Sequence, residues 1–81
     1  MYTKGTNMKI YYFKAECEHE GDMDREIRDI TEGDAAQIVD VDVPPHGDCD
    51  YYVTIYFKIL DAQKFEEATG YSPSDFSSYE E

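Results

Sequence analysis

Ten residues in the second half of the chain, Tyr51-Tyr-Val-Thr-Ile-Tyr-Phe-Lys-Ile-Leu60, limit most strongly what this protein is able to fold into. They are rich in aromatic and β-branched side chains and contain no Gly or Pro, which is the composition of a strand. Successive side chains of a strand point to opposite faces. Tyr51, Val53, Ile55, Phe57 and Ile59 therefore share one face, and Tyr52, Thr54, Tyr56, Lys58 and Leu60 the other. The first set is apolar enough to close a core. The second still carries rings, so the strand is central or has an aromatic outer surface.

Lys9–Cys17 reads as a second strand that pairs with the first, with Tyr11, Phe13, Ala15 and Cys17 on one face. Asp61 stands where an N-cap belongs. Ala62, Phe65 and Ala68 follow as a helical stripe, and Gly70 stands at the C′ position. Ser72-Pro-Ser-Asp75 has the spacing of a capping box with Pro at its first helical position, and predicts a short turn of helix through Phe76.

The middle of the chain admits two readings. In one, Asp22–Glu32 is a helix with Met23, Ile27 and Ile30 on one face, closed by Gly33. Gln37–Val43 is then a strand with Val39, Val41 and Val43 facing in and Asp40 and Asp42 facing out. In the other, Gly21-Asp22 is a two-residue hairpin turn. The hairpin sets Glu18 opposite Arg25, Lys14 opposite Asp29 and Phe13 opposite Ile30, pairs worth roughly 0.2–1 kcal/mol each. Thr31-Glu-Gly-Asp34 then reads as a capping box opening a helix through Val39. The hairpin accounts for the alternating acids, the Gly-Asp pair and Thr31 together, and is the preferred reading. Either way the fold class is α+β, a small antiparallel sheet of about three strands with one or two short helices, ordered ββαβα or alternatively βαββα. Residues 1–7 read as a flexible N-terminal extension, 8–76 as a single acidic α+β domain, and 77–81 as a short acidic tail.

Length allows one small domain, since a chain of 81 residues buries only about 60% of the surface its unfolded form exposes. Eight Tyr and four Phe against three Pro still point to a folded chain, because disordered segments are short of aromatics. The net charge of −12 is unevenly spread. Residues 1–14 carry three lysines and no acid, residues 15–50 carry 13 acids against Arg25 and Arg28, and residues 51–81 carry six acids against Lys58 and Lys64. Self-repulsion of this size works against a compact state. It also argues against nucleic acid or an anionic membrane as a direct ligand, both of which reward basic patches. No apolar run of about 20 residues is present to span a bilayer, and no signal-peptide core is visible. With two cysteines, the expected location is a reducing cytoplasm.

Between Glu16 and Glu26 every second residue is acidic: Glu16, Glu18, Glu20, Asp22, Asp24 and Glu26. In an extended segment these would lie on one face at intervals of about 6.7 Å. Asp40/Asp42 and Asp48/Asp50 repeat the spacing. Such a row suits the basic groove of a nucleic-acid-binding protein, with opposite charge speeding the encounter. Tyrosine is enriched at interface hot spots, and Tyr12, Tyr52 and Tyr56 would add an aromatic surface beside the acids. The bland alternatives are a solvated acidic face and tyrosines that build the core.

Other constellations are weaker. Cys17-x-His19 and His46-x-x-Cys49 would supply four zinc ligands, in a spacing that matches no standard finger. A Cys17–Cys49 disulfide would form only in an oxidising compartment. Glu16-x-Glu18-x-Glu20-Gly21 resembles the opening of an EF-hand loop, yet the twelfth position is Ile27, so the bidentate acid is missing. No nucleophile elbow, phosphate loop or HExxH motif is present, and the expectation is that the protein is not an enzyme. In size, acidity and ordered carboxylates the chain resembles phage-encoded DNA-mimic inhibitors of the anti-restriction and anti-CRISPR kind, a likeness of composition and not of sequence. That likeness implies a small inhibitor in the cytoplasm of the host cell, without cofactor. Its partner would be a basic nucleic-acid-binding protein such as a nuclease, CRISPR effector or repressor. Glu16, Glu18, Glu20, Asp22, Asp24, Glu26, Asp40, Asp42, Asp48, Asp50, Tyr52 and Tyr56 would make the contact. The alternatives are a zinc-binding regulatory domain using Cys17, His19, His46 and Cys49, and an antitoxin-like partner of a basic toxin. On this reading, replacing Glu18, Glu20, Asp22 and Asp24 together leaves stability unchanged or raises it.

Overall fold

The computed structural model describes residues 9–19, 21–45, 47 and 50–80. Lys9–Cys17 forms β1, Asp22–Thr31 forms α1, Ala36–Asp42 forms β2, Tyr51–Ile59 forms β3, Ala62–Thr69 forms α2 and Ser77–Glu80 forms β4. The four strands make one sheet in the order β2-β3-β1-β4, with every neighbouring pair antiparallel. β1 therefore runs parallel to β2 with β3 between them, and β3 runs parallel to β4 with β1 between them. Each of these pairs is joined through a helix. Two such interleaved β-α-β units are the ferredoxin-like plan.

The class expected from the sequence holds, with four strands in place of three. The hairpin at Gly21-Asp22 does not form. In an extended chain Met23 and Ile27 would face away from Ile30, whereas a helix brings all three to one side. Burying a large aliphatic side chain contributes about 1.5–3 kcal/mol, more than an exposed cross-strand charge pair. Ile30 is fully buried, and Met23 and Ile27 pack against Ala15, Cys17, Val53 and Ile55. Thr31 opens no new helix either. Residues Glu32–Asp34 make a single 3-10 turn, and the chain then runs straight into β2.

β2 departs from simple alternation. A bulge between Ile38 and Asp40 shifts the register on β3, so that Ile38 lies opposite Phe57, Asp40 opposite Tyr56 and Val41 opposite Ile55. Ile38 and Val41 thus face the core, while Val39 and Val43 are 43% and 44% exposed, contrary to the expected inward set of three valines. The segment from residue 77 is also not a tail. Ser77–Glu80 pairs with Lys9–Tyr12, so the domain continues to Glu80.

Both helices cover the sheet face that carries Tyr11, Phe13, Ala15, Cys17, Val53, Ile55 and Phe57. Phe57 sits at the centre. Its ring lies 5.1 Å from Phe76, 5.8 Å from Tyr11 and 6.1 Å from both Phe13 and Phe65. Local signals at the second helix act as read from the sequence. The Asp61 carboxylate accepts from the Lys64 N–H, the Gly70 N–H donates to the Glu66 carbonyl, and the Ser72 N–H donates to the Asp75 carboxylate.

The 3-10 turn after α1 meets α2 at Gly33, where φ is +78° and an added Cβ would stand 2.7 Å from the Ala68 Cβ. At Gly70, φ is +81° but nothing lies within 4 Å of such a Cβ. Gly33→Ala should therefore lower the unfolding free energy by about 2–4 kcal/mol, combining left-handed strain with overpacking. Gly70→Ala should cost only the backbone part, about 1–2 kcal/mol. Urea unfolding of both variants would check the difference, and equal losses would contradict the close contact of the turn with α2.

Candidate functional site

Because the helices occupy one face of the sheet, the side chains between them along each strand are left on the other. No described helix or strand lies over that face, although Ile10 at the end of it beside Tyr79 is fully buried. The ladders set its rows. One row runs Asp40, Tyr56, Tyr12, Ser77 across all four strands, the next runs Asp42, Thr54, Lys14, and Tyr52 faces Glu16 beyond it. Tyr79 sits opposite Ile10. The Tyr12 ring lies 5.8 Å from Tyr56 and 6.0 Å from Tyr79, so three tyrosines form a band across β3, β1 and β4. Tyr79 is 46% exposed and Tyr52 58% exposed. A phenol ring with its hydroxyl near water supplies contact area at low entropic cost.

Carboxylates border this band. Asp40 and Asp42 stand on the edge strand β2, and the Asp40 carboxylate accepts from the Val41 N–H at 2.9 Å. Asp40, Asp42, Val39, Tyr56 and Tyr79 enclose a shallow hollow of about 410 Å³. A second hollow of about 510 Å³ collects Asp42, Asp50, Tyr52 and Lys14 beside Pro44 and Pro45. Glu16, Asp42 and Asp50 are exposed, and none makes an ion pair among the described residues. Against these acids the face carries Lys14 and Lys58.

Of the residues expected from sequence, the structure thus gathers Glu16, Asp40, Asp42, Asp50, Tyr52 and Tyr56. It does not produce the ruled acidic line. α1 begins at Asp22 and turns Asp24 and Glu26 onto a helix, while Glu18 lies in the loop before it. Glu20 and Asp48 lie outside the described residues. Asp22 has a structural task. Its Oδ2 accepts from the N–H groups of Glu18 and His19, both at 2.9 Å, and its Oδ1 pairs with Arg25 at 2.9 Å. Those two N–H groups, followed by the Arg25 guanidinium, hold the carboxyl below its ordinary value. Removing Asp22 therefore costs stability, and in the fourfold acidic replacement this loss opposes the gain expected from relieved repulsion. Sequence reasoning assigned Tyr79 to the tail, since Ser-Ser-Tyr-Glu is too short a run to reveal a strand by its period.

Cys17 lies in the core beside Ala15, Val53 and Ile55, and its Sγ is 3.9 Å from the Ala15 carbonyl. Burial, then the charges of Asp22 and Glu26, push the thiol upward and keep it protonated. A zinc ligand has to be a thiolate. His19 is exposed, His46 and Cys49 lie outside the described residues, and no group of three or more His, Cys, Asp or Glu among the described residues is placed to hold a metal. Compared with known proteins, the chain matches no family model, no curated protein and no solved structure.

Two outcomes follow from these local environments. Asp22→Asn should lower the melting temperature at neutral pH. Because folding depresses the Asp22 value, its contribution is full above the ordinary 3.8 and is lost as pH falls through the folded value. The gap in melting temperature between wild type and variant should therefore close in acid, and a gap independent of pH would contradict the bonds of the Asp22 carboxylate to the preceding loop. In a Cys49→Ser background, Cys17 should resist iodoacetamide in the native state and react on unfolding. Rapid native alkylation would contradict its burial.

Proposed function

We propose that this protein is a small acidic inhibitor whose uncovered sheet face docks on a basic nucleic-acid-binding protein (a nuclease, CRISPR effector or repressor) and occupies its nucleic-acid site. The observation that carries the reading is the juxtaposition of the tyrosine band with exposed carboxylates on the one sheet face that no described element covers. Tyrosine and carboxylate are the two side-chain classes that suit arginine, through the ring face and through paired hydrogen bonds. Asp40 and Asp42 keep the alternate-residue interval of about 6.7 Å, close to the separation of neighbouring phosphates along a nucleic-acid strand. Asp24, Glu26, Asp29, Glu32, Asp34, Glu66 and Glu67 lie on or beside α1 and α2, where they add to the field that steers a basic partner inward.

Tyrosines on the two central strands of a four-stranded sheet also suit base stacking. The border of Glu16, Asp40, Asp42 and Asp50 argues against that use, because a phosphate backbone would be brought against carboxylates within a chain of net charge −12. A protein partner presenting arginine and lysine satisfies the same geometry without this repulsion.

Asp40→Asn/Asp42→Asn/Tyr52→Ser should fold as the wild type does, since all three side chains are exposed. Affinity capture from a host-type lysate at about 100 mM salt should retain a basic nucleic-acid-binding protein on the wild type, released by salt and competed off by DNA. The triple variant should bind that protein about tenfold more weakly or worse. Equal retention by the variant would remove this face from the interface. Binding of a single-stranded oligonucleotide to the isolated protein, lost on Tyr52→Ser, would replace the reading with a nucleic-acid platform.

A further inference from the structure

β1 is paired unequally on its two sides. β3 accompanies it from Tyr11 to Cys17, but β4 accompanies it only from Lys9 to Tyr12. Phe76 packs beside Phe13, with ring centroids 5.6 Å apart, and Ser72-Pro73 then takes the chain away from the sheet. Lys14–Cys17 is left with no described strand on that side. An open edge offers N–H and C=O groups to a further strand. The other long edge is blunted. β2 carries the bulge at Val39, and the Asp40 carboxylate already holds the Val41 N–H.

Phe13–Glu16 of β1 line a groove of about 400 Å³ together with Glu26 and Ile30 of α1 and with Tyr71 and Phe76. We propose that this groove accepts an extended segment of the partner by strand addition, prolonging the sheet along the line of β4. Alternate side chains of such a segment meet different surroundings. Those turned toward the helices meet Ile30, Tyr71 and Phe76, with Glu26 at the margin. Those turned the other way meet Glu16 and Lys14 on the open face, so the acidic excess of the groove comes from Glu16 together with Glu26. The segment that fits alternates apolar residues with lysine or arginine. Charge decides between this occupant and a second copy of the chain, which would bring −12 against −12. Strand addition also enlarges the contact. The sheet face alone offers a footprint of about 15 by 30 Å, against the roughly 800 Å² that each partner contributes to a standard interface. The inference rests on the reading of the partner as basic.

The probe is an eight-residue peptide of alternating valine and lysine, with two controls: its fully N-methylated form, and the valine–glutamate peptide. The valine–lysine peptide should bind and shift the amide resonances of Lys14–Cys17, Glu26 and Tyr71. N-methylation, which keeps side chains and charge but removes every backbone N–H donor, should weaken binding about tenfold or more, as should Glu16→Lys/Glu26→Lys in the protein. Equal binding of the methylated peptide would overturn strand addition. Shifts confined to Tyr12, Tyr52 and Tyr56 would do the same while leaving the basic-partner reading in place. Preference for the valine–glutamate peptide would overturn both. A dimer in sedimentation equilibrium that protects the Lys14–Cys17 amides without peptide would assign the groove to a second copy instead.

Discussion

The antiparallel pairing of β1 with β3 is the constraint on which the rest of this molecule depends. Seven residue pairs, from Tyr11 opposite Phe57 to Cys17 opposite Tyr51, sort every side chain of both strands to one face or the other. A slip by a single residue would exchange the two faces. Phe57 would then point to water and Tyr56 into the core. In the register observed, Phe57 is the floor on which both helices land, Phe65 from α2 and Ile30 from α1, with Phe13 and Phe76 closing the sides. That arrangement leaves Tyr12 and Tyr56 as neighbours on the far side. Core and candidate site are two consequences of one ladder.

The same geometry accounts for how so small a chain tolerates its charge. No charged residue is buried among those described. The described acids are distributed over helix exteriors, loops, strand ends and the rim of the open face, where water and salt screen them. Asp22 differs from the others. Its carboxylate accepts from the Glu18 and His19 N–H groups of the loop before α1, so a negative charge that would add to repulsion ties that loop to the helix. Acids that looked equivalent in sequence therefore have unlike roles, and only those on or beside β1, β2 and β3 border the tyrosines.

A ferredoxin-like arrangement hosts many unrelated activities and names none. What distinguishes this chain is the combination of a tyrosine face that no described helix or strand covers, a carboxylate border and a fourth strand too short to cover the second half of β1. The first two suit a basic surface, and the third suits an extended segment. Face and groove adjoin along Lys14 and Glu16, so one partner is able to meet both.

Much of the fold was legible in the residues. The period-two runs of Lys9–Cys17 and Tyr51–Leu60 defined two strands and their inner faces, because alternation is a local property of an extended chain. The caps at Asp61, Gly70 and Ser72 were equally readable, because each satisfies backbone groups within a few residues. Two matters lay beyond the sequence. Asp22–Thr31 carried an alternating acidic pattern that favoured a hairpin, and a helical pattern at Met23, Ile27 and Ile30. The choice fell to the helix because the sheet beneath it offered Ala15, Cys17, Val53 and Ile55 for those side chains to cover, a contact that exists only after the strands have paired. Ser77–Glu80 has too few residues to announce a strand, and became one because the edge of β1 was there to pair with it. Local alternation and capping are written in the chain, whereas which carboxylates share a face with which tyrosines was decided by packing between segments far apart in sequence.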